Sequence, residues 1–497
     1  MMDQSTAHYT EAGPTLLAAT PADPPPPPKG PDPAWQVLRG HCEARLAGLR
    51  NWRNSWLQHW AVIATYLDPR RNIWLTQGAT TQPSPNSMVR GRMINRAILD
   101  STGTIAAQMC ANGMMSGLTS PARPWFKLTV NLPTGIDLDG PGKMWVEMVQ
   151  DRMYRVMAGS NFYEAIHVMY GDLVSYGTAP MVIYEHPRKV IHCYNTVAGE
   201  YMLAVGSDMK PEVLFRQYLM TISDIVEMFG IENCPADVQG MWKTKGASLD
   251  VEKIVCHAVE PNFPVADRDG SSREVLKGPF TWREVYWIWG SAGDRPLSVR
   301  GFYDQPFIAP RWAVTSNDPY GRSPGMDALP DIMQLQLMTA RMNEAVEKQV
   351  RPPLLADQTL KNQPSSILPG HITYVPALAA SNGMRPVYTV QPELQYMIMG
   401  IKEIQQRIKT NFYNDLFMAV LGLDTVRTAT EIVDRRQEKM TLLGPVIERF
   451  QNEALSPAIR RIYSIMQRKG LLPPLPDSLR GVGMEIEYIS PLAMAQR

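Results

Sequence analysis

Proline decides where this chain can be helical. There are 42 prolines among 497 residues, and a proline inside a helix removes a hydrogen bond and clashes with the preceding turn. Asp68-Pro69, Arg351-Pro352-Pro353 and Pro473-Pro474 each close an otherwise helical stretch. The chain therefore reads as long helices cut at defined points, with irregular or extended segments between them.

The first such helix spans 35–67, with large apolar residues at helical spacing between arginines. Ahead of it, residues 1–34 carry an unbroken run from Pro24 to Pro28 and read as a disordered arm that favours polyproline II. After a Gly/Pro/Ser/Asn-rich loop at 78–87, a second helical stretch covers 88–117. Its latter half is rich in Gly, Ala, Ser and Met, so neighbouring helices can approach closely. Residues 120–130 turn into a short strand, and 140–174 read as one helix. From there to about 315 the texture is β-rich. Candidate strands are 179–185, 189–194, 200–205, 213–220, 252–259, 280–289 and 297–303, interrupted by one helix at 222–230.

The last third is different. Residues 326–350 form a long helix with Ile332, Leu335, Met342, Val346 and Val350 on one stripe. Residues 354–392 are proline-punctuated and strand-like. A second long helix, 393–416, aligns Met397, Ile401, Ile404, Ile408, Phe412 and Leu416. The pattern is a helical hairpin, each arm about 36 Å long, with a small β-module at its tip. A mostly apolar loop, 417–427, follows, with Gly422 as a hinge. Thr428-Ala429-Thr430-Glu431 then opens a helix running to Lys469, with kinks expected at Gly444-Pro445 and Pro457 and a glycine stop at Gly470.

The composition is that of an ordinary globular protein of roughly three domain-sized units. Hydrophobic residues make up 44%, charged residues 20%, and the net charge is +1. That excludes a strongly basic binder, so any nucleic-acid contact must come from local placement of charge. Thirty methionines imply adaptable apolar surface. No apolar run reaches 18 residues, so no membrane span is expected, and the N-terminus lacks the pattern of a signal peptide. Five widely spaced cysteines without a CxxC predict free thiols in a reducing cytosol, not a zinc site or a disulfide framework.

The chemical motifs fail individually. Gly142-Lys143 is followed by Met144 and has no upstream glycine, so there is no P-loop. GRSPG (321–325) has the spacing of a nucleophile elbow around Ser323. The next residue, Pro324, lacks the N–H that the oxyanion hole needs, and a turn before a helix explains the motif better. Asp267-Arg268-Asp269-Gly270 lacks the ligand set of a calcium loop and reads as a polar hairpin turn. His192-Cys193 and Cys256-His257 are strand neighbours that point to opposite faces and cannot share an ion. No catalytic centre, cofactor site or metal site emerges. On the second long helix, Gln395, Lys402, Gln406, Lys409 and Tyr413 fall opposite the apolar face, where lysines one or two turns apart could track phosphates. A solvated helix surface is the competing account of that stripe. Glu403 and Arg407 have the spacing of an i,i+4 salt bridge.

Several long segments together resemble a known family. They are LDSTGTIAAQMCANGMMSGLTSPARPWFKL (99–128), PRWAVTSNDPYGRSPGMDALPDI (310–332), RPPLLAD (351–357), TATEIVDRRQEKMTLLGPVIERFQNEAL (428–455) and IEYISPLAMAQR (486–497). In this order they resemble the head-to-tail connector, or portal, proteins of short-tailed (podovirus-type) bacteriophages. The resemblance implies an α+β portal-protein fold. After the arm at 1–34, residues 35–322 would form an α/β wing, 323–350 the first stem helix and 351–392 a small clip. Residues 393–416 would be the second stem helix, 417–428 the tunnel loop and 429–470 the long kinked helix. Residues 471–497 would be a C-terminal strand and the start of a crown. The chain stops at Arg497 where family chains often continue. A short or absent crown and a truncated sequence both fit that difference.

The implied function is structural, not enzymatic. A ring of about twelve copies would sit at one capsid vertex of the virion after assembly in the host cytoplasm. It would pass double-stranded DNA during packaging, retention and ejection. Its partners would be the terminase, which supplies ATP hydrolysis, a tail adaptor protein, and the major capsid and scaffolding proteins. The alternative is another virion ring protein, such as a tail adaptor or gatekeeper, although those are normally far smaller. Within the resemblance, Lys402, Gln406, Lys409 and Arg427 are the expected DNA-facing residues, and Val420, Leu421, Gly422 and Leu423 line the tunnel loop. A sliding polymer should not be held tightly at one register, so sparse lysines among glutamines suit such a wall.

Overall fold

The computed structural model describes residues 33–69, 97–131, 139–266, 272–273, 276, 278–291, 295–351, 354–355, 385–386, 394–420, 443–479 and 483–490. Helix α1 (Pro33–Tyr66) is followed by α2 (Thr102–Leu118) and strand β1 (Phe126–Asn131). The helical stretch expected over 88–117 does not extend through 97–101, which is irregular. There the Asp100 carboxylate accepts the Thr102 N–H at 2.8 Å, a turn that starts α2 instead of continuing an earlier helix.

The single helix expected over 140–174 is two, α3 (Gly140–Ala158) and α4 (Phe162–Tyr176). Asp139 caps α3 by accepting the Gly142 N–H at 2.9 Å. Gly159-Ser160-Asn161 then breaks the helix, and the buried face restarts about half a turn away, with Val149, Met153 and Met157 before the break and Phe162, Ile166, Met169 and Leu173 after it. The end of α4 requires glycine. Gly177 has φ of 78°, and a Cβ there would sit 2.1 Å from the Gly321 carbonyl oxygen.

The β region follows the sequence reading closely. Strands β2 (Met181–His186) and β3 (Val190–Asn195) pair in a three-stranded sheet. Strands β4 (Tyr201–Val205), β5 (Pro211–Thr221) and β6 (Glu252–Pro261) belong to a five-stranded antiparallel sheet. Between β5 and β6 lie α5 (Ile222–Phe229) and an unanticipated α6 (Ala236–Thr244). β7 (Val265–Ala266) pairs with β8 (Ser272–Arg273) on either side of the expected polar turn. The turn residues 267–270 lie outside the described residues. β9 (Trp282–Ile288) and β10 (Ser298–Phe302) complete the larger sheet in the order β10-β9-β6-β5-β4, and β11 (Phe307–Ile308) borders β2.

The larger sheet has two covered faces, as strand alternation requires. On one face Phe215, Cys256, Ala258, Val285 and Trp287 pack against Leu38, Cys42 and Leu46 of α1. On the other, a polar hub faces β2. Glu284 Oε1 accepts from Tyr184 Oη at 2.7 Å and from Tyr286 Oη at 3.0 Å, and it lies 2.7 Å from His257 Nε2. Arg216 Nε donates to His257 Nδ1 at 2.8 Å. Arginine can only donate, so Nδ1 is unprotonated and the neutral imidazole donates from Nε2 to Glu284. Adjacent residues Cys256 and His257 thus face opposite sides, as expected.

The C-terminal third begins with α7 (Pro324–Val350). Ser323 caps it, accepting the Met326 N–H at 3.0 Å while its own hydroxyl donates to the Ser175 carbonyl at 2.8 Å. That buried, doubly engaged hydroxyl accounts for the GRSPG spacing without chemistry. β12 (Leu354–Leu355) pairs with β13 (Arg385–Pro386); the rest of 351–392 falls almost entirely outside the described residues. The second long helix is broken. α8 (Leu394–Asn411) ends before Phe412-Tyr413, and α9 (Asn414–Val420) follows. Tyr413 takes φ of 57°, and its ring lies 6.1 Å from that of Trp312. It therefore leaves the exposed polar stripe assigned to it and becomes half-buried. Residues 417–420, expected in a loop, are the last turn of α9. Phe417 of α9 fills the space beside Gly113 of α2, where an added Cβ would lie 2.2 Å from its ring.

Residues 443–450 are helical, and the helix widens into a π turn at Gln451–Leu455 before α10 (Ser456–Arg468). The irregularity expected from Pro457 appears as this turn, placed where the proline cannot donate to the preceding coil. Gly470, with φ of 65°, ends the helix as expected. β14 (Gly483–Tyr488) pairs antiparallel with β1, closing the chain's two distant parts together.

The π turn holds Glu453 against Arg311. Arg311 Nη2 and Nε meet the carboxylate at 2.7 and 3.2 Å, and the Arg311 N–H adds a third bond at 3.0 Å. Both side chains are buried. Glu453→Gln leaves a buried guanidinium uncompensated and should cost about 3–5 kcal/mol, read as a lower urea midpoint. Replacing both partners by apolar residues should recover most of that loss.

Burial, aided by Arg216, holds the His257 imidazolium pKa down to about 4 from its ordinary 6.5. Below about 6.5 the unfolded chain takes a proton that the folded chain refuses. Stability is thus full above that pH and falls by about 3 kcal/mol as pH drops to 4. Glu284, held below the usual carboxylate range despite burial by the His257 and Tyr184 hydrogen bonds, acts in the same direction at lower pH. His257→Gln should flatten the slope of unfolding free energy between pH 6.5 and 4.

Candidate nucleic-acid interface

The surface singled out by the lysines lies on α8, packed along α7. Their shared interior is rooted in the main core through Ile332, Leu335, Ile404, Ile408 and Phe412. The apolar stripe expected on α7 does not stay buried along its length. Ile332 and Leu335 are fully buried, whereas Val346 and Val350 are exposed. The same gradient runs back along α8, where Tyr396, Ile398 and Met399 are exposed. One end of the helix pair belongs to the body, and the other projects from it.

On α8 the apolar side chains of Ile404 and Ile408 point inward, so the opposite stripe must face out. Lys402, Gln406 and Lys409 are all exposed. Seven residues separate the two lysines, which places them about 20° apart around the helix and about 10 Å along it. Gln406 lies between them. Gln395 is exposed on the same stripe.

Arg407 does not bridge to Glu403. It crosses to α7, where Nη2 meets Asp331 Oδ1 at 2.9 Å. The pair ties the two helices together where both leave the core. A second tie was not legible in the sequence. Gln336 of α7 donates to the Asp100 carbonyl at 2.8 Å, and its Oε1 accepts the N–H groups of Leu99 and Asp100 at 2.7 and 2.9 Å. From the other helix, Gln405 Nε2 donates to Asp100 Oδ2 at 2.7 Å. One short segment before α2 is thus held by both long helices. The partners are 236 and 305 residues apart, so no local spacing could reveal them.

Asp100 carries a charge at this joint. Partial burial alone would raise its pKa, but hydrogen bonds from Thr102 and Gln405 and the positive charge of Lys409 outweigh burial and hold it below the usual carboxylate range.

Leu421, Gly422, Leu423 and Arg427 lie outside the described residues. Val420 is the last residue of α9. Among the described residues, no group of three or more His, Cys, Asp or Glu side chains could hold a metal ion. All five cysteines are free and buried, and burial pushes the Cys193 thiol up to about 12. No described helix is long and apolar enough to cross a membrane.

Comparison with known proteins bears on the whole chain. A family profile described as "Bacteriophage head to tail connecting protein" matches residues 39–497. The portal protein of Salmonella phage epsilon15 is 37% identical over 455 residues, covering 91% of this chain and 79% of that protein. The probable portal protein of Bordetella phage BPP-1 is 37% identical over 465 residues, covering 93% and 81%. Among solved structures, a chain from the virion of a native gene transfer agent particle aligns over 85% of this chain and 89% of its own. Its identity is 11% and its TM-score 0.32, too loose a superposition to carry an argument. Matched over nearly its full length and at this identity, the chain belongs to the bacteriophage head-to-tail connecting, or portal, protein family.

Proposed function

We propose that this protein assembles into a closed ring of about twelve copies at one capsid vertex, enclosing a channel for double-stranded DNA. The DNA would enter during packaging, be retained, and leave during ejection. Docking partners would be the terminase, a tail adaptor, and the capsid and scaffolding proteins. In this reading α7 and α8 are the stem and residues 351–392 the clip. Residues 35–322 make the wing, 417–428 the loop nearest the DNA, 429–470 the long helix returning through the wing, and 471–497 the entry to a crown.

The single observation that carries this reading is the rooted helix pair. Its base is locked in the core by Ile404 and Ile408, and its outer stripe offers Lys402, Gln406 and Lys409 to solvent. A rigid mount with cations at regular spacing can guide a phosphate backbone. Glutamine between the lysines gives hydrogen bonds without adding net attraction. In a ring each such residue recurs once per copy, so a modest surface acts as a belt. Val420, Leu421, Gly422 and Leu423, with Arg427, would form the adjacent constriction.

Two measurements test this. Mass photometry with negative-stain imaging should find particles of about twelve times 55.8 kDa with a central hole. Lys402→Ala combined with Lys409→Ala should lower the DNA content of filled heads or speed DNA loss at raised salt. Unchanged content and salt sensitivity would remove these lysines from the channel wall.

A further inference from the structure

We propose that Asp100 is a built-in counter-charge to Lys409, one that limits how tightly this face of α8 holds a phosphodiester backbone. The inference rests on the reading of the lysine stripe as DNA-facing and adds to it the device that sets the strength of attraction.

The argument begins with placement. Gln405 of α8 grips the Asp100 carboxylate at 2.7 Å. Lys409 is one helical turn beyond Gln405, on the same side of the helix. The carboxylate cannot swing away. Its other oxygen accepts the Thr102 N–H at 2.8 Å, and its backbone is bound on both sides by Gln336. The acid is therefore a fixed charge beside Lys409, not a mobile surface group. Being clamped, it acts on Lys409 through space, at longer range than a direct ion pair.

Arg407 follows the same rule, paired with Asp331 at 2.9 Å. Two of the three cations exposed on α8 between 400 and 411 thus have an acid set against them from another element, whereas Lys402 does not face its chain neighbour Glu403. Such a face offers phosphate contacts at reduced net charge. A ring built from it would present a partly neutralised surface and not a continuous positive belt. That suits a polymer that must slide, because each advance of one phosphate trades one contact for another of similar depth.

The test uses the assembled full-length protein and a linear DNA duplex, with affinity read by fluorescence anisotropy across a salt series. Asp100→Asn keeps the acceptor for the Thr102 N–H and the side-chain shape, so folding is preserved. It should tighten DNA binding by about two- to fivefold per engaged subunit. It should also steepen the salt dependence by about 0.9 for each phosphate newly engaged. Gln405→Met removes one of the clamp's hydrogen bonds without changing any charge, while Thr102 and Gln336 still hold Asp100, so it should change the salt slope far less than Asp100→Asn does. Equal effects of the two variants would mean that packing, not charge, is responsible, and the counter-charge would be refuted. So would a Lys409→Ala variant that weakens binding while Asp100→Asn leaves it unchanged. If neither lysine affects DNA binding, the DNA-facing reading itself falls and the counter-charge with it.

Discussion

The projecting pair of helices is held by a base that packing and polar ties keep from swinging. The inner half of α7 and α8 is buried among side chains drawn from α1, α2, α4 and the helix before α10. Side-chain packing fixes position but tolerates small rotations. The polar ties remove that freedom. Gln336 and Gln405 grip the same short segment from two helices, and Arg407 reaches Asp331 across the pair. Phe417 in the notch left by Gly113 then sets how α9 departs. Close packing makes such a joint stiff, since even one added methyl has no room.

Buried charges make the other joints. Glu453 fixes Arg311 to the π turn, Glu284 joins the two sheets, and Glu260 takes Arg283 from β9 with Arg45 of α1 at 3.4 Å. Arg461 and Arg468 both reach Asp304, which holds α10 against the segment between β10 and β11. A buried ion pair adds little net stability compared with an apolar pair of the same shape. Its value is directional, because a half-turn slip of either element would strand a charge without a partner. The long helix carries its π turn where Arg311 needs Glu453, and the widened coil presents that carboxylate in a position a regular helix would rotate away.

Portal proteins face a physical conflict between holding a polyanion and letting it pass. Strong cationic walls solve the first problem and worsen the second. The exposed stripe of α8 has lysines and glutamines interleaved, and the acid at 100 is held from the side by residues remote in sequence. The net charge of the whole chain, +1, carries the same message at coarser grain. In the proposed channel, attraction would be placed locally and then trimmed.

Much of this was legible in the sequence, for a definite reason. Helix and strand periodicities are local, and prolines and glycines mark their ends. The strands of the larger sheet, the stop at Gly470 and the inward face of α8 could all be read from neighbouring residues. Long ordered segments supplied the family. What the sequence could not show was a break that keeps the apolar phase, such as Phe412-Tyr413, because periodicity is blind to it; the break from Gly159 to Asn161 shifts the phase and could have been read. It also could not show pairings between remote residues. Arg407 pairs with Asp331 and not with the nearer Glu403, and Asp100 with Gln405, because the packing of α7, α8 and the segment before α2 sets those distances. The sequence alone determined which residues could face the core and which the solvent. Only the tertiary structure decided which charges would neutralise one another, since that depends on distances set by the packed body and not by position along the chain.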